Sequence, residues 1–325
     1  MNAAPDTRPR RVPATAAKAL QQIPRLLEAA RWGQTQRLSE IAEEIASLVE
    51  GGSPALARKL RSAQPLSPTK LVAAPTDLVD VLQGSVEFND VVLPDDVRTS
   101  CEALIEEQRH REELAAWSVH PAHKVLLSGP PGNGKTMLAN ALATSLGIPF
   151  IIVRYGGLMA SYLGTTGKNI DKVFEYAQNG PCLLFLDEFD GIAVDRSQAG
   201  DVGELRRITN QLLLTIDRMP AHVVLVCATN QEQLVDPAVR RRFDTHLTLP
   251  APTHDMRLRL ATSQLAPELC NGVDLRQHAQ SVAADIAGYD NLDAVAKACQ
   301  ALRRRHALQE IARRRESAGA TTTGA

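Results

Sequence analysis

Four short stretches of the sequence hold residue types suited to handling phosphate. "GPPGNGKT" (129–136) follows the apolar run "KVLLS" and leads into "MLANALATSL". The form G-x-x-x-x-G-K-[ST] between a strand and a helix marks a loop whose backbone N–H groups cradle phosphates, aided by the positive helix terminus. Pro131, Gly132, Asn133 and Gly134 would form the cradle. Lys135 would bring a point charge to the β and γ phosphates of ATP, and the Thr136 hydroxyl would ligate Mg²⁺. "CLLFLDEFD" then ends an apolar run in adjacent carboxylates, and burying such a pair without a use is costly. Asp187 is placed to hold the magnesium's water shell, and Glu188 to orient and polarise an attacking water. "VVLVCATN" ends in Asn230, which would reach the γ-phosphate or that water. In "DPAVRRRFDTHLTLP", Arg240, Arg241 and Arg242 cannot all be core. Anchored by Phe243, they suit presentation to a neighbouring subunit's γ-phosphate as an arginine finger. The loop and the acid pair together imply hydrolysis of ATP rather than binding alone.

These groups need a scaffold that brings distant segments to one edge. The apolar runs "KVLLS" (124–128), "IPFIIV" (148–153), "CLLFLD" (182–187), "VVLVCA" (223–228) and "THLTL" (245–249) alternate with helical patterns. Runs apolar throughout and separated by helices predict a parallel sheet covered on both faces. Ligands of such sheets bind at the carboxyl ends of the strands, where the first three stretches fall, whereas the arginine run leads into the last apolar run. The predicted fold class is α/β: a P-loop parallel sheet covered by helices, then a small α-helical lid, with an N-terminal helical module. The boundaries read as a disordered tail at 1–14, a helical recruitment module at 15–64 stopped and restarted by "GGSP", and a proline-containing linker at 65–85. The α/β domain covers 86–250, the lid 251–316, and a second disordered tail 317–325.

The chain has 325 residues and a formal net charge of −1, so no overall field draws it to nucleic acid or anionic membrane. Residues 1–70 nevertheless carry eleven Lys/Arg against six Asp/Glu. Five cysteines lie scattered without metal-ligand spacing, which fits a reducing compartment. No stretch approaches the ~18 apolar residues of a membrane span. A cytoplasmic location is the expectation.

From about residue 86 to 316 the chain resembles the AAA ATPases, here with a single nucleotide-binding cassette. The resemblance rests on "GPPGNGKT", "LLFLDEFD", "ELRRITNQLLLTID", "VCATN" and "DPAVRRRFD", in order and at matching spacing. It implies a hexameric ring with ATP at subunit interfaces. By position, Lys135 and Thr136 are the Walker A residues, Asp187 and Glu188 the Walker B pair, and Asn230 is sensor 1. Arg241 and Arg242 are the implied fingers, and Arg207 faces the interface. The run is closer to the gapless "RRRF" of katanin-like members than to "RPGRFD". In the lid, "GYDNLD" (288–293) keeps Gly288 and Asp293, but Asn291 and Leu292 replace a small pair that lets the lid approach the nucleotide.

"SYLG" (161–164) matches the family's first pore loop, in which Tyr162, Leu163 and Gly164 would grip an extended polypeptide without reading its sequence. "RSQAGDVGE" (196–204) is a candidate second pore loop. The resulting expectation is an ATP-driven ring that threads and remodels proteins, its N-terminal module recruiting an unidentified partner. A nucleic-acid remodeller, supported by the basic front segment and the arginine triplets at 303–305 and 313–315, is one alternative. A nucleotide-gated assembly switch is another.

Overall fold

The computed structural model describes residues 14–26, 35–50, 53, 57, 74–159, 166–193, 202–285 and 291–320. The chain divides into two units, one of residues 1–74 with 179–181, the other of 75–178 with 182–325. In the first, α1 (Ala14–Gln21) and α2 (Thr35–Glu50) bury Ala19, Ile41 and Ile45 between them. The apolar positions of α2 recur at helical spacing, which gives it one buried face. Gln22 Nε2 donates to Glu44 Oε1 at 3.0 Å across the pair.

The second unit is built on a six-stranded sheet in the order β1-β3-β4-β5-β2-β6. Its strands are β1 (Val79–Gln83), β2 (Lys124–Ser128), β3 (Pro149–Val153), β4 (Cys182–Leu186), β5 (Val223–Thr229) and β6 (Thr245–Thr248). β2 to β6 run parallel. Every residue of β4 and β5 is buried because both faces are covered. Alternate side chains feed two cores: Leu184, Leu186, Leu225 and Cys227 pack on one side, Leu183, Phe185, Val224 and Val226 on the other. The first core includes Ile170, Val173 and Phe174 of α7 (Thr166–Ala177) and Leu212 and Ile216 of α8 (Val202–Asp217). The second includes Cys101 and Leu104 of α3 (Asp95–Arg109) and Leu138 and Leu142 of α5 (Lys135–Leu146). Two short helices, α4 (Arg111–Ala116) and α6 (Tyr155–Met159), also precede β4.

The sheet is mixed rather than purely parallel. β1 pairs antiparallel with β3, Val79 opposite Val153, and lies inside the stretch that the sequence reads as a linker. An edge strand shields one side only. Val79 is buried whereas Val81 and Leu82 are exposed, so the segment lacks the apolar run that marks the interior strands. Arg154 at the end of β3 bonds both carboxylate oxygens of Asp80 and fixes this edge.

After β6 and the short α9 (Pro237–Arg240) that precedes it, the chain is helical. α10 (His254–Gln264), α11 (Ala279–Asp285) and α12 (Leu292–Ala320) surround Met256, Leu260, Ala261, Leu265, Val295 and Cys299. Thr253 caps α10, its Oγ1 accepting from Met256 N at 3.2 Å. α12 continues to Ala320, beyond the sequence-based limit of 316. Among the described residues no helix is long and apolar enough to cross a membrane.

Candidate nucleotide site

Register decides where the chemistry gathers. Ser128 of β2 lies opposite Thr229 of β5, and Leu186 of β4 opposite Cys227. β5 therefore stands between β2 and β4, and the residues just past all three strands emerge at one edge. A cleft of about 450 Å³ opens there, lined among others by Lys135, Thr136, Asp187, Glu188 and Asn230. The structure brings together the phosphate-loop residues, both Walker B carboxylates and the Asn, all of which the sequence had singled out.

Lys135 opens α5 and is 7% exposed. Its Nζ donates to Gly129 O (2.7 Å), Pro130 O (3.0 Å) and Asn230 Oδ1 (2.8 Å). Burial pushes its pKa down, and the charges of Asp187 and Asp190 oppose that shift. The loop needs glycine at its first residue: Gly129 has φ +138°, and an added Cβ would lie 2.0 Å from Leu249 O. Thr136 Oγ1 stands 3.4 Å from Asp187 Oδ2, so a hydroxyl and a carboxylate converge as hard oxygen donors. That set fits Mg²⁺.

Glu188 follows the strand in a left-handed conformation, φ 51° and ψ 40°, and is solvent-exposed. A non-glycine residue there costs roughly 1–2 kcal/mol, which the surrounding structure must offset. Its own amide donates to Asp187 Oδ1 at 2.9 Å, which pins the first carboxylate while the second stays in the cleft. Sequence reasoning missed what fixes this corner. Thr229, fully buried, donates through Oγ1 to Asp190 Oδ1 at 2.6 Å and accepts from Gln231 N at 2.9 Å. The end of β5, which carries Asn230, is thereby tied to the turn that carries Glu188. The Thr beside Asn230 and the third acid of "DEFD" were the available signals.

The arginine run separates into three environments. Phe243 is 6% exposed and packs edge-on against Phe189, ring centroids 5.7 Å apart, which fastens the run to the residue after Glu188. Arg240 lies 3.9 Å from Glu232, and its Nε is buried without a partner. Arg242 pairs with Asp217 at 3.3 Å and donates to Ala238 O at 3.1 Å. Arg241 is exposed; its backbone N donates to Pro237 O at 3.2 Å, and its side chain has no bonded partner among the described residues. None of the three lines the cleft of its own chain.

The lid meets the phosphate loop directly, despite Asn291 and Leu292. Asp293 N donates to Gly132 O at 3.0 Å, and Leu292 N to Asn133 Oδ1 at 3.0 Å. Asn291 is the reason the helix can start there, since its Oδ1 accepts from Ala294 N at 2.9 Å and caps α12. The approach is close enough that a Cβ on Gly132 would lie 3.1 Å from the Asn291 side chain. Asn133, 4% exposed, also donates from Nδ2 to Pro250 O at 3.0 Å. One buried amide thus joins the phosphate loop, Pro250 in the segment after β6 and the first turn of α12.

Asn133→Ala would leave a buried N–H and carbonyl unpaired, at about 1–3 kcal/mol. We expect faster hydrogen exchange at the Leu292 and Asp293 amides and nucleotide affinity reduced about tenfold or more. Asn133→Asp keeps an acceptor for Leu292 and loses the donor to Pro250, so it should fall between. Unchanged exchange in Asn133→Ala would show that the tie is dispensable.

Tyr162, Leu163 and Gly164 lie outside the described residues, as do Gly288, the side chain of Arg207 and the loop 196–204 up to 201.

Comparison with known proteins agrees with this geometry. Residues 125–251 match the family model "ATPase family associated with various cellular activities (AAA)". The chain is 36% identical over 237 residues to "Uncharacterized AAA family ATPase y4kL" of Sinorhizobium fredii, covering 69% of this chain and 72% of that protein. It is 36% identical to "ATP-dependent zinc metalloprotease FtsH 1" of Symbiobacterium thermophilum over 55% of this chain and 31% of that one. It is 29% identical to "Putative 26S proteasome regulatory subunit homolog MJ1494" of Methanocaldococcus jannaschii, over 54% of this chain and 47% of that one. Of the last two relatives the chain therefore spans less than half. A P-loop, an acid pair and a polar strand end in one cleft, with a relative matched over most of both lengths, place this chain in the AAA family of nucleotide-binding, ATP-hydrolysing proteins.

Proposed function

We propose that the chain is the subunit of a cytoplasmic hexameric ring that uses Mg²⁺-dependent ATP hydrolysis to thread and remodel protein substrates. The observation that carries the hydrolytic half is the convergence of Lys135, Thr136, Asp187, Glu188 and Asn230 on one cleft. Val91, Val92, Leu260 and Leu292 give that cleft an apolar wall suited to an adenine base. Mg²⁺, held by Thr136 and Asp187, would supply positive charge to the phosphate oxygens. Glu188 orients water and accepts its proton as that water attacks the γ-phosphorus and the bond to the leaving ADP oxygen breaks. Lys135 and Asn230 hold the phosphate. Arg241, whose side chain has no bonded partner among the described residues, stabilises transition-state charge in a neighbour, which makes each site complete only in an oligomer.

Support for a protein substrate comes from the "SYLG" stretch and from the names of the protease and proteasome-subunit relatives. The test is a trap in the native host. Tagged Glu188→Gln should retain bound substrate proteins that disappear when Tyr162→Ala is added. Nucleic acid recovered equally from both would overturn threading in favour of a remodeller. A partner protein retained by both would be a ligand of the N-terminal module, and with no tyrosine-dependent protein beside it threading would fail.

A further inference from the structure

The lining of the nucleotide cleft is of two kinds. Lys135, Thr136, Asp187, Glu188 and Asn230 supply charge and hydrogen bonds for phosphate, whereas another wall is largely apolar and comes in part from the lid. Leu260 and Gln264 stand one turn apart on α10, and Leu292 and Ala296 one turn apart on α12, so each helix turns one face to the cleft. Three of these four side chains are apolar. Gln264 is the exception, a partly buried amide set among surfaces suited to an adenine base.

An amide can offer either of its ends, and here the chain itself decides which. Arg303 Nη2 donates to Gln264 Oε1 at 3.3 Å. Arg303 lies two turns beyond Ala296 on the same face of α12, which lets it reach α10 at this point. Among the described residues this is the one hydrogen bond of the Arg303 side chain, and Gln264 Nε2 makes none. Arg303 Nε is buried and bonds nothing, so the placing of the guanidinium is not explained by satisfying its own donors. A guanidinium carries donors and no acceptor. A reversed amide would set its N–H groups against those donors. The carbonyl end of Gln264 is therefore held, and the NH₂ end is the one left to bond a ligand.

We propose that Gln264 reads the nucleotide base, donating from Nε2 to a ring nitrogen of adenine, and that Arg303 is a positioning residue that keeps the amide in this donating sense. An unprotonated ring nitrogen accepts such a bond, and a C–H at the same place does not. An amide free to turn would suit a donor or an acceptor alike and select neither. One held by a guanidinium selects an acceptor. The proposal rests on the reading of the cleft as an ATP site and deepens it by naming what recognises the base.

The experiment uses the full chain as Glu188→Gln with Mg²⁺, so that nucleotides bind without turnover. Competition against a fluorescent nucleotide gives the affinity for ATP and for three analogues in which N1, N3 or N7 of the adenine ring is replaced by C–H. One analogue is expected to bind this parent about tenfold more weakly than ATP, the worth of one hydrogen bond of ordinary strength. Gln264→Ala should weaken ATP by the same factor and bind that analogue as well as ATP, because the bond is then missing from both. Gln264→Glu keeps the size and the pairing with Arg303 but presents a lone pair in place of N–H. ATP should bind it more weakly still, with thermal unfolding unchanged or raised. Arg303→Ala should shrink the preference for ATP over the analogue to about threefold or less, and Arg303→Lys, which keeps a cationic donor, should restore it. Inorganic triphosphate, which has no base, should compete equally in all four variants. Equal responses of Gln264→Ala and its parent to all three analogues would overturn the role of Gln264. A preference unchanged in Arg303→Ala would overturn that of Arg303. A parent that binds neither ATP nor triphosphate would overturn the reading of the cleft itself.

Discussion

Replacing Glu188 by Gln is expected to slow phosphate release about 10²–10⁴-fold while ATP still binds, the range lost with a positioned general base. The amide keeps the size and the left-handed backbone of the native residue, so thermal stability should hardly change. Glu188→Gly separates the two roles of this position. Glycine adopts φ 51° without penalty and should stabilise the fold by about 1 kcal/mol, yet activity should be lost as fully as with Gln. Phosphate-release kinetics, titration with a fluorescent nucleotide and thermal unfolding measure the three quantities. Hydrolysis persisting in both variants would remove Glu188 from the reaction and turn attention to Asp187 or Asp190.

Arg241→Ala should be as damaging, about 10³–10⁵-fold in turnover if it acts as a finger, with nucleotide affinity nearly unaltered. Its neighbours provide the contrast. Arg242 is engaged with Asp217 and Ala238 O, so Arg242→Ala should lower the melting temperature. Arg240 lies against Glu232, and its removal should also act on the fold. A trans role has a distinctive signature. Arg241→Ala and Lys135→Ala subunits, each inactive alone, should recover partial ATPase activity when mixed, because some interfaces then combine an intact site with an intact arginine. No recovery, with inactivation by Arg242→Ala instead, would move the finger by one residue.

Much of this site was legible because it is built from local patterns. Apolar runs fixed β2 to β6 almost to the residue, and the phosphate loop, the acid pair and Asn230 each follow the end of one of those strands. Lys135, Asp187, Glu188 and Asn230 meet because strand order places their strands side by side. That order follows from the nucleotide-binding topology that the motifs implied. The parts that were not legible depend on contacts between distant residues. β1 carries too few buried positions to show a periodicity and is a strand only because β3 offers it an edge. Asn133 and Leu292 are 159 positions apart, and nothing in "GPPGNGKT" or "GYDNLD" alone says that an amide in one satisfies a backbone group in the other. Asn291 looked like an obstacle to the lid's approach. It proved to be the helix cap that makes the approach possible. The three arginines could be counted in the sequence but not sorted, since Asp217 and Glu232 become their neighbours only on folding.

The tie through Asn133 also makes α12 a lever. Its 29 residues extend about 43 Å from a first turn bonded to the phosphate loop. A shift of a fraction of an ångström in the carbonyl of Gly132 becomes a displacement of several ångströms at the far end. The coupling must also run backwards: a load that bends the distal helix alters how tightly the loop holds phosphate, by the same free energy. Mechanical resistance met at the end of the lid would thus be felt as a change in nucleotide affinity.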